Sequence, residues 1–277
     1  MQKQNTKNLT VIISVYNNAD TISETMDSIF NQTYSDFDIF CVDDASTDET
    51  LTILEGYARK DSRLNIIRNE KCNGLAANLN VMLNKASGDY IARMDGDDIC
   101  LPTRFEKQIA FMEANPKTDI LGTAAIVIDE VGKETEVLQW PVSHENIVKV
   151  IWANPIIHPS VMFRCHSIRN IGGYPLYRRR QDYALWFTAA KNGLHFANLE
   201  EPLLKYRVIK NHYKKTPRKD HFLQLRLGWK GYASMGGINP KIYLFIAWPF
   251  VRSFMPSKIQ NAVHRKLRKL DPRRKTV

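Results

Sequence analysis

Apolar positions in the first 115 residues follow two rhythms, and their alternation predicts strands interleaved with helices. Thr10–Val15 is a continuous apolar run of strand length, and Ile22, Met26, Ile29 and Phe30 follow at helical spacing. The unit then repeats. Asp38–Val42 reads as a strand ahead of Leu51, Leu54 and Ala58 on one helix face, and Asn65–Ile67 precedes Leu75, Leu79, Met82, Leu83 and Ala86. Tyr90–Met94 is a fourth strand, and Phe105, Ile109 and Met112 mark the helix after it. Polar residues punctuate the pattern. Thr21-x-x-Glu24 and Ser46-x-x-Glu49 have the form of capping boxes. Gly88 stands where a C-cap would close the third helix, Pro102 where the next would begin, and Asn115-Pro116 where it would stop.

Strands alternating with helices over short connections imply a mainly parallel sheet covered on both faces, and such sheets bind ligands beyond the carboxyl ends of their strands. Asp43-Asp44 and Asp95-Gly96-Asp97-Asp98 each follow a predicted strand directly, so both acidic groups are expected on one rim. After Gly122 the rhythm weakens to a strand at Thr123–Asp129, a turn at Val131-Gly132-Lys133 and a loop-rich stretch from Asn154 to Gly173. A helix from about Asp182 to Lys191 closes on Asn192-Gly193.

Composition changes this picture at the C-terminal end. The 277 residues, 44% of them hydrophobic, suffice for one substantial core. The net charge of +10 is uneven: residues 201–277 carry 19 Lys and Arg against 3 Asp and Glu, so the first 200 residues are net acidic. That asymmetry argues against a uniformly basic nucleic-acid binder and for an acidic-to-neutral body with a basic extension. Four scattered cysteines with no C-x-x-C pair, and a polar N-terminus with no apolar signal region, lead us to expect a cytoplasmic protein without a disulfide scaffold. Ile242–Val251 is strongly apolar but well short of the roughly 20 residues a bilayer crossing needs. With the basic residues from Arg252 to Lys275 behind it, this segment suits peripheral contact with an anionic inner leaflet. A helix packed on the body with a solvated basic tail is the alternative.

The acidic cluster is the main candidate for chemistry. Carboxylates this close repel one another unless solvated, capped or neutralised, and hard ions such as Mn²⁺ or Mg²⁺ take carboxylate oxygens while sharing phosphate oxygens with a substrate. Asp95 and Asp97 can converge across a turn in which Gly96 permits close approach; a solvated turn and helix cap is the alternative. Asp44 suits either a hydrogen bond to a nucleobase or ribose, or a helix entry. Tyr16 suits either stacking on a base or packing. Arg178-Arg179-Arg180 offers guanidinium forks that match the phosphate oxygens of a nucleotide or of a lipid pyrophosphate, or is an exposed loop. H-E-x-x-H, Walker A and G-x-G-x-x-G motifs are all absent from the sequence, which weakens zinc-protease, NTPase and dinucleotide readings.

Taken in order, Val11–Tyr16, Val42-Asp43-Asp44-Ala45-Ser46-Thr47-Asp48, Asn73-Gly74-Leu75-Ala76-Ala77-Asn78 and Arg93-Met94-Asp95-Gly96-Asp97-Asp98 resemble the family 2 glycosyltransferases of the GT-A fold over about residues 9–210. The resemblance implies an α/β GT-A catalytic domain at 1–210, with a donor-binding half at 9–115 and an acceptor half at 116–210, and leaves 211–277 as a helical, basic, amphipathic extension. It implies that Ser14, Tyr16 and Asp44 form the nucleoside pocket, with Asp43 the alternative base contact. Asp95 would lie toward the ribose, and Asp97, with Asp95, would ligate the ion. Arg93 and the segment after Asp98 are similar to a bacterial branch that builds capsule, exopolysaccharide and O-antigen units. His158-Pro159-Ser160, Gly172-Gly173-Tyr174 and Gln181–Trp186 look like acceptor-side motifs. Asp182 matches the general base of inverting members, although the family's usual Glu-Asp pair reads Gln181-Asp182 here. Past Lys205-Tyr206-Arg207, His212 is the candidate for a further metal ligand.

The expected reaction is inverting transfer of a hexose or N-acetylhexosamine from a nucleotide-diphosphate sugar, with UDP as the default, to a growing saccharide acceptor on polyprenyl pyrophosphate. The rivals are a nucleotidyltransferase, which would release pyrophosphate, and a non-catalytic membrane- or nucleic-acid-binding protein on the same scaffold.

Overall fold

The computed structural model describes residues 8–208 and 217–255, together with the backbone of 274–275. The first strand, β1 (Leu9–Val15), is buried on both faces. Leu9, Val11, Ile13 and Val15 join one core cluster and Ile12 the other, because successive side chains of a strand point to opposite faces. That geometry explains an apolar run with no polar alternation. Next come α1 (Ile22–Phe30), β2 (Phe37–Asp43), α2 (Thr50–Ala58), β3 (Leu64–Arg68), α3 (Leu75–Lys85) and β4 (Tyr90–Asp95). These strands pair in parallel in the order β3-β2-β1-β4. The order reverses direction at β1, whose two neighbours are β2 and β4, and a crevice opens at such a switch point.

The second half adds β5 (Ile99–Cys100), α4 (Arg104–Ala114), β6 (Thr118–Ile128), β7 (Glu134–Leu138), α5 (His144–Lys149), β8 (Met162–Arg164), α6 (Cys165–Asn170), α7 (Gln181–Lys191) and β9 (His195–Arg207). β8 lies antiparallel between β4 and β6, and β9 runs parallel to β6 and antiparallel to β5. The sheet is therefore mixed, with most of its paired length parallel. One face is covered by α1 and α4 through Met26, Ile29, Phe105 and Met112, the other by α3, α6 and α7 through Leu79, Met82, Ile168 and Trp186.

Two helices follow, α8 (Arg218–Ser234) and α9 (Pro240–Arg252), and the last described pair of residues, β10 (Arg274–Lys275), adds to β7. α8 and α9 form an antiparallel hairpin: Phe222 meets Phe250 with ring centroids 5.6 Å apart, and Trp229 meets Tyr243 at 5.8 Å. Glycines let α8 lie directly on α7. A Cβ at Gly231 would stand 2.2 Å from Phe187, and one at Gly228 2.6 Å from the Tyr183 hydroxyl. The hairpin is thus packed on the body, with Phe245 stacked on Trp152 at 5.1 Å.

Several local expectations change in the structure. Neither expected capping box forms: Thr21 turns its hydroxyl to the Gly96 carbonyl (2.9 Å), and α2 begins at Thr50, whose amide Asp48 accepts (3.0 Å). α3 ends at Lys85 with Ala86 in extended conformation, three residues before Gly88. β6 begins five residues earlier than the apolar run suggests, because its partner β9 continues the sheet. The stretch expected to be loop between Asn154 and Gly173 contains β8 and α6.

Candidate active site

Strand register places the acidic groups side by side. Ser14 pairs with Asp95 of β4, and Val15 with Asp43 of β2, so the carboxyl ends of three adjacent strands are level. The turn after β4 is drawn against the loop after β1. A Cβ at Gly96 would stand 2.8 Å from Val15 Cγ1 and 3.1 Å from Asn18 Oδ1, which only glycine avoids. Thr21 and Thr25 on the α1 side donate to the carbonyls of Gly96 (2.9 Å) and Asp98 (2.8 Å). So held, Asp95, Asp97 and Asp98 each bring an oxygen within 4.8 Å of the others.

These three carboxylates have different surroundings. Asp95 is gripped by both terminal nitrogens of Arg93, one at 2.7 Å, and the Arg93 side chain is itself buried. Asp97 is half-buried, and burial followed by the nearby Asp95 charge pushes its carboxyl up to about 6. Asp98 is fully buried. Its Oδ1 accepts the Arg207 amide at 2.8 Å, its Oδ2 has no hydrogen-bond partner among the described residues, and burial with two carboxylate neighbours raises it well above the ordinary range. Asp98 is not a helix cap, since α4 starts at Arg104. Three converging carboxylates, one of which has a buried oxygen with no hydrogen-bond donor among the described residues, form a donor set that a hard divalent cation fits. His212 lies outside the described residues.

At the β2 end, Asp44 is saturated. Its Oδ1 accepts Asn69 Nδ2 and the Asn73 amide, both at 2.8 Å, and its Oδ2 accepts the Gly74 amide at 2.9 Å and the Cys72 thiol at 3.2 Å. An ionised carboxylate has about four acceptor sites, and these are filled. Burial opposes its ionisation, yet the donors outweigh it and hold the carboxyl below the ordinary aspartate range. Asn69 also donates to Asn78, which donates to Ser14 Oγ at 2.9 Å, so one polar chain runs from Asp44 to β1. Asp43 is buried, with its Oδ2 accepting the Ser46 amide (3.3 Å) and its Oδ1 without a partner among the described residues. A cavity of about 650 Å³ opens beside them, lined by Ala45, Ser46, Arg68, Asn69 and Glu70, while Tyr16 is 51% exposed.

Asp182 sits in the first turn of α7, half-buried, with its Oδ2 accepting Asn154 Nδ2 at 2.9 Å. It makes no cap; Arg180 occupies that position in a left-handed conformation (φ 64°). Tyr174 is buried, with its hydroxyl 2.8 Å from His158 Nε2. Burial raises the Tyr174 phenol, the Arg93 charge opposes that rise, and the Asp182 and Asp95 charges add to it. Among the described residues the non-glycine positions in left-handed conformation are Asn17, Ala45, Asn154 and Arg180. Each adjoins a candidate residue: Tyr16, Asp44, Asp182 through its amide, and Asp182 through the helix start. Asparagine tolerates this region, but for Ala45 and Arg180 it is unfavourable by roughly 1–3 kcal/mol, and such conformations gather where a site is held in place by its surroundings.

The family model described as glycosyl transferase family 2 matches residues 10–185, from the first strand into the first half of α7. The chain belongs to glycosyl transferase family 2. Among the relatives of this family 2 chain, the amylovoran biosynthesis glycosyltransferase AmsE of Erwinia amylovora is 32% identical over 94% of this chain and 98% of its own length. The UDP-Glc:alpha-D-GlcNAc-diphosphoundecaprenol beta-1,3-glucosyltransferase WfaP of Escherichia coli is 33% identical over 78% of this chain and 85% of its own. In structure, S. aureus TarS 1-349 in complex with UDP-GlcNAc superposes with a TM-score of 0.69 at 19% identity, covering 94% of this chain and 79% of that one. The fold is GT-A.

In this family 2 chain the structure also gives roles to residues for which the sequence suggested none. Arg207 holds the acidic turn from behind, its amide on Asp98, its Nε on the Asp97 carbonyl (2.8 Å) and a terminal nitrogen on Glu24. Buried Arg104 ties down the β4 backbone through the Arg93 carbonyl at 3.0 Å. Asn154, the partner of Asp182, comes from a stretch whose sequence reads as loop. Its only cue is that asparagine tolerates the left-handed region.

Proposed function

We propose that this family 2 enzyme is an inverting, metal-dependent hexosyltransferase. It moves a hexose or N-acetylhexosamine from a nucleotide diphosphate, UDP by default, to a saccharide acceptor carried on polyprenyl pyrophosphate. The observation that carries this reading is the meeting of Asp95, Asp97 and Asp98 at the carboxyl end of β4, level with the ends of β1 and β2. Asp97 and Asp98, with Asp95 on the ribose side, would hold Mn²⁺ or Mg²⁺. When bound, the ion would offset the charge that builds on the departing nucleoside diphosphate.

The remaining work belongs to the chain. Arg93 fixes the Asp95 carboxylate in one orientation with two charge-assisted hydrogen bonds. In the nucleoside pocket, Asp44 acts by fastening the Asn69–Gly74 loop, since its acceptor sites are full; Asp43 keeps the acceptor capacity for a base, and Tyr16 has the exposure to stack on one. Asp182 takes the proton of the attacking hydroxyl, and the Asn154 amide orients it. Attack opposite the leaving group turns an α-linked donor into a β-linked product.

Support for a lipid-linked acceptor comes from the relative WfaP, named for a diphosphoundecaprenol substrate, and from the α8–α9 surface. Phe222, Trp229, Leu244, Val251 and Phe254 are each about half exposed or more, beside Arg218, Arg226, Lys230, Lys241 and Arg252. No helix among the described residues is long and apolar enough to cross a membrane. Apolar side chains ringed by cations suit peripheral contact with the anionic cytoplasmic leaflet.

The test is a panel of nucleotide sugars with Mn²⁺ or Mg²⁺, reading nucleoside diphosphate release and the anomeric configuration of the product. A β-linked product with free nucleoside diphosphate is expected. Pyrophosphate as the product, or retention of configuration, would overturn the reading.

A further inference from the structure

The loop from Tyr177 to Arg180 and the first turn of α8 enclose a cleft of about 370 Å³ that lies outside the carboxylate rim. It is lined by Arg178, Arg179, Pro217, Lys219, Asp220 and Leu223. Three cations therefore face one carboxylate, and that carboxylate is committed: Asp220 is buried and pairs with Arg179 at 3.0 Å. Among the described residues, Arg178 and Lys219 have no carboxylate partner. Like charges gathered around a concave space repel one another until an anion enters it.

Its position narrows the choice of anion. One wall of the cleft, Arg178 and Arg179, belongs to the loop that leads into α7. The same loop runs through Arg180 directly into Asp182. Phosphate could reach such a cleft from the donor or from the acceptor. Two features favour the acceptor. Lys219 and Asp220 lie on α8, beyond the 10–185 segment that matches the family, whereas the donor rim lies wholly within it. The neighbours are also apolar: Leu176 is 75% exposed, Phe222 53% and Phe254 58%, with the Arg218 guanidinium 5.0 Å from the Phe254 ring centre. A free phosphate has no use for such a border, but a phosphate on a long apolar carrier does.

We propose that this cleft binds the pyrophosphate of the lipid-linked acceptor. Arg178 and Lys219 contact its oxygens, and Arg179, anchored by Asp220, holds the loop against α8. The proposal rests on the lipid-linked reading of the acceptor given above, and its test separates the two. Binding of farnesyl pyrophosphate, inorganic pyrophosphate and UDP is measured by calorimetry on the full chain and on Arg178→Ala, Lys219→Ala and Arg178→Lys. Transfer is measured with one acceptor sugar carried either on a prenyl pyrophosphate or on a neutral alkyl chain.

Each alanine change is expected to weaken farnesyl pyrophosphate binding and raise the KM for the pyrophosphate acceptor about tenfold or more, the scale of one charge-assisted hydrogen bond. Arg178→Lys should recover part of that loss. UDP affinity and transfer to the neutral acceptor should stay unchanged. Weakened UDP binding in the alanine variants would overturn the proposal by assigning the cations to the donor, and so would wild-type protein that does not bind farnesyl pyrophosphate. Cation-dependent binding without any sugar transfer would sustain the cleft and remove the transferase reading instead.

Discussion

His158 Nε2 stands 2.8 Å from the Tyr174 hydroxyl, and both side chains are buried within reach of the Arg93 charge. The pair joins two segments that resemble acceptor motifs. It also makes the fold sensitive to pH. Burial, then the Arg93 charge, keeps His158 well below the usual histidine range, so the folded protein holds it neutral. An unfolded chain protonates it below about pH 6.5, and stability is then lost as pH falls. The loss approaches at most about 1.4 kcal/mol per pH unit for one proton. Urea unfolding of the wild type and His158→Gln between pH 7.5 and 5 should show a shallower slope in the variant. Parallel slopes would place the pH dependence elsewhere.

Asp97 is the carboxylate proposed to hold the ion with least commitment to protein donors. Asp97→Asn should reduce transfer by about 100-fold or more, because an ion offsetting leaving-group charge contributes several kcal/mol. Melting temperature in the absence of metal should not fall, since the change removes one charge from a crowded group. In the wild type, chelation should abolish transfer and added Mn²⁺ or Mg²⁺ should restore it. Full activity in chelator would end the metal assignment.

Asp182 gives a sharper kinetic signature. If it takes the acceptor proton, Asp182→Asn should lower kcat by about 10² to 10⁴ and leave donor KM unchanged. The Asn154 contact can survive, because the carboxamide introduced by the substitution keeps a carbonyl oxygen that still accepts. Wild-type turnover in this variant, with donor binding intact, would show that another group removes the proton.

Gly96 tests how tightly the acidic turn is built. Gly96→Ala puts a Cβ 2.8 Å from Val15 Cγ1, and the loop after β1 has to move. The expected destabilisation is about 1–3 kcal/mol by denaturant titration, the range for overpacking a filled space. Metal affinity should fall with it, as the three carboxylates are positioned by the same turn. Unchanged stability would mean that the loop yields easily.

The strand-helix alternation through β4 and α4 was legible in the chain alone, because each strand buried on two faces must be apolar throughout and each helix must be apolar on one face. So was the placing of two acidic groups at strand ends. That much is local: a side chain's place on a strand or helix follows from its neighbours in the chain. How those carboxylates differ came only from contacts across the fold. Asp44 and Asp98 look alike in sequence, yet Asn69, Cys72, Asn73 and Gly74 saturate the first, while Arg207, more than a hundred residues away, satisfies only one oxygen of the second. The same holds for Asp182, whose partner Asn154 comes from a stretch without periodicity, and for the Arg178–Lys219 cleft, whose walls lie some forty residues apart. Hydrogen bonds and burial between distant segments leave no repeating mark in the chain, so charge, protonation and access at this site were settled only when the sheet closed and α8 packed against α7.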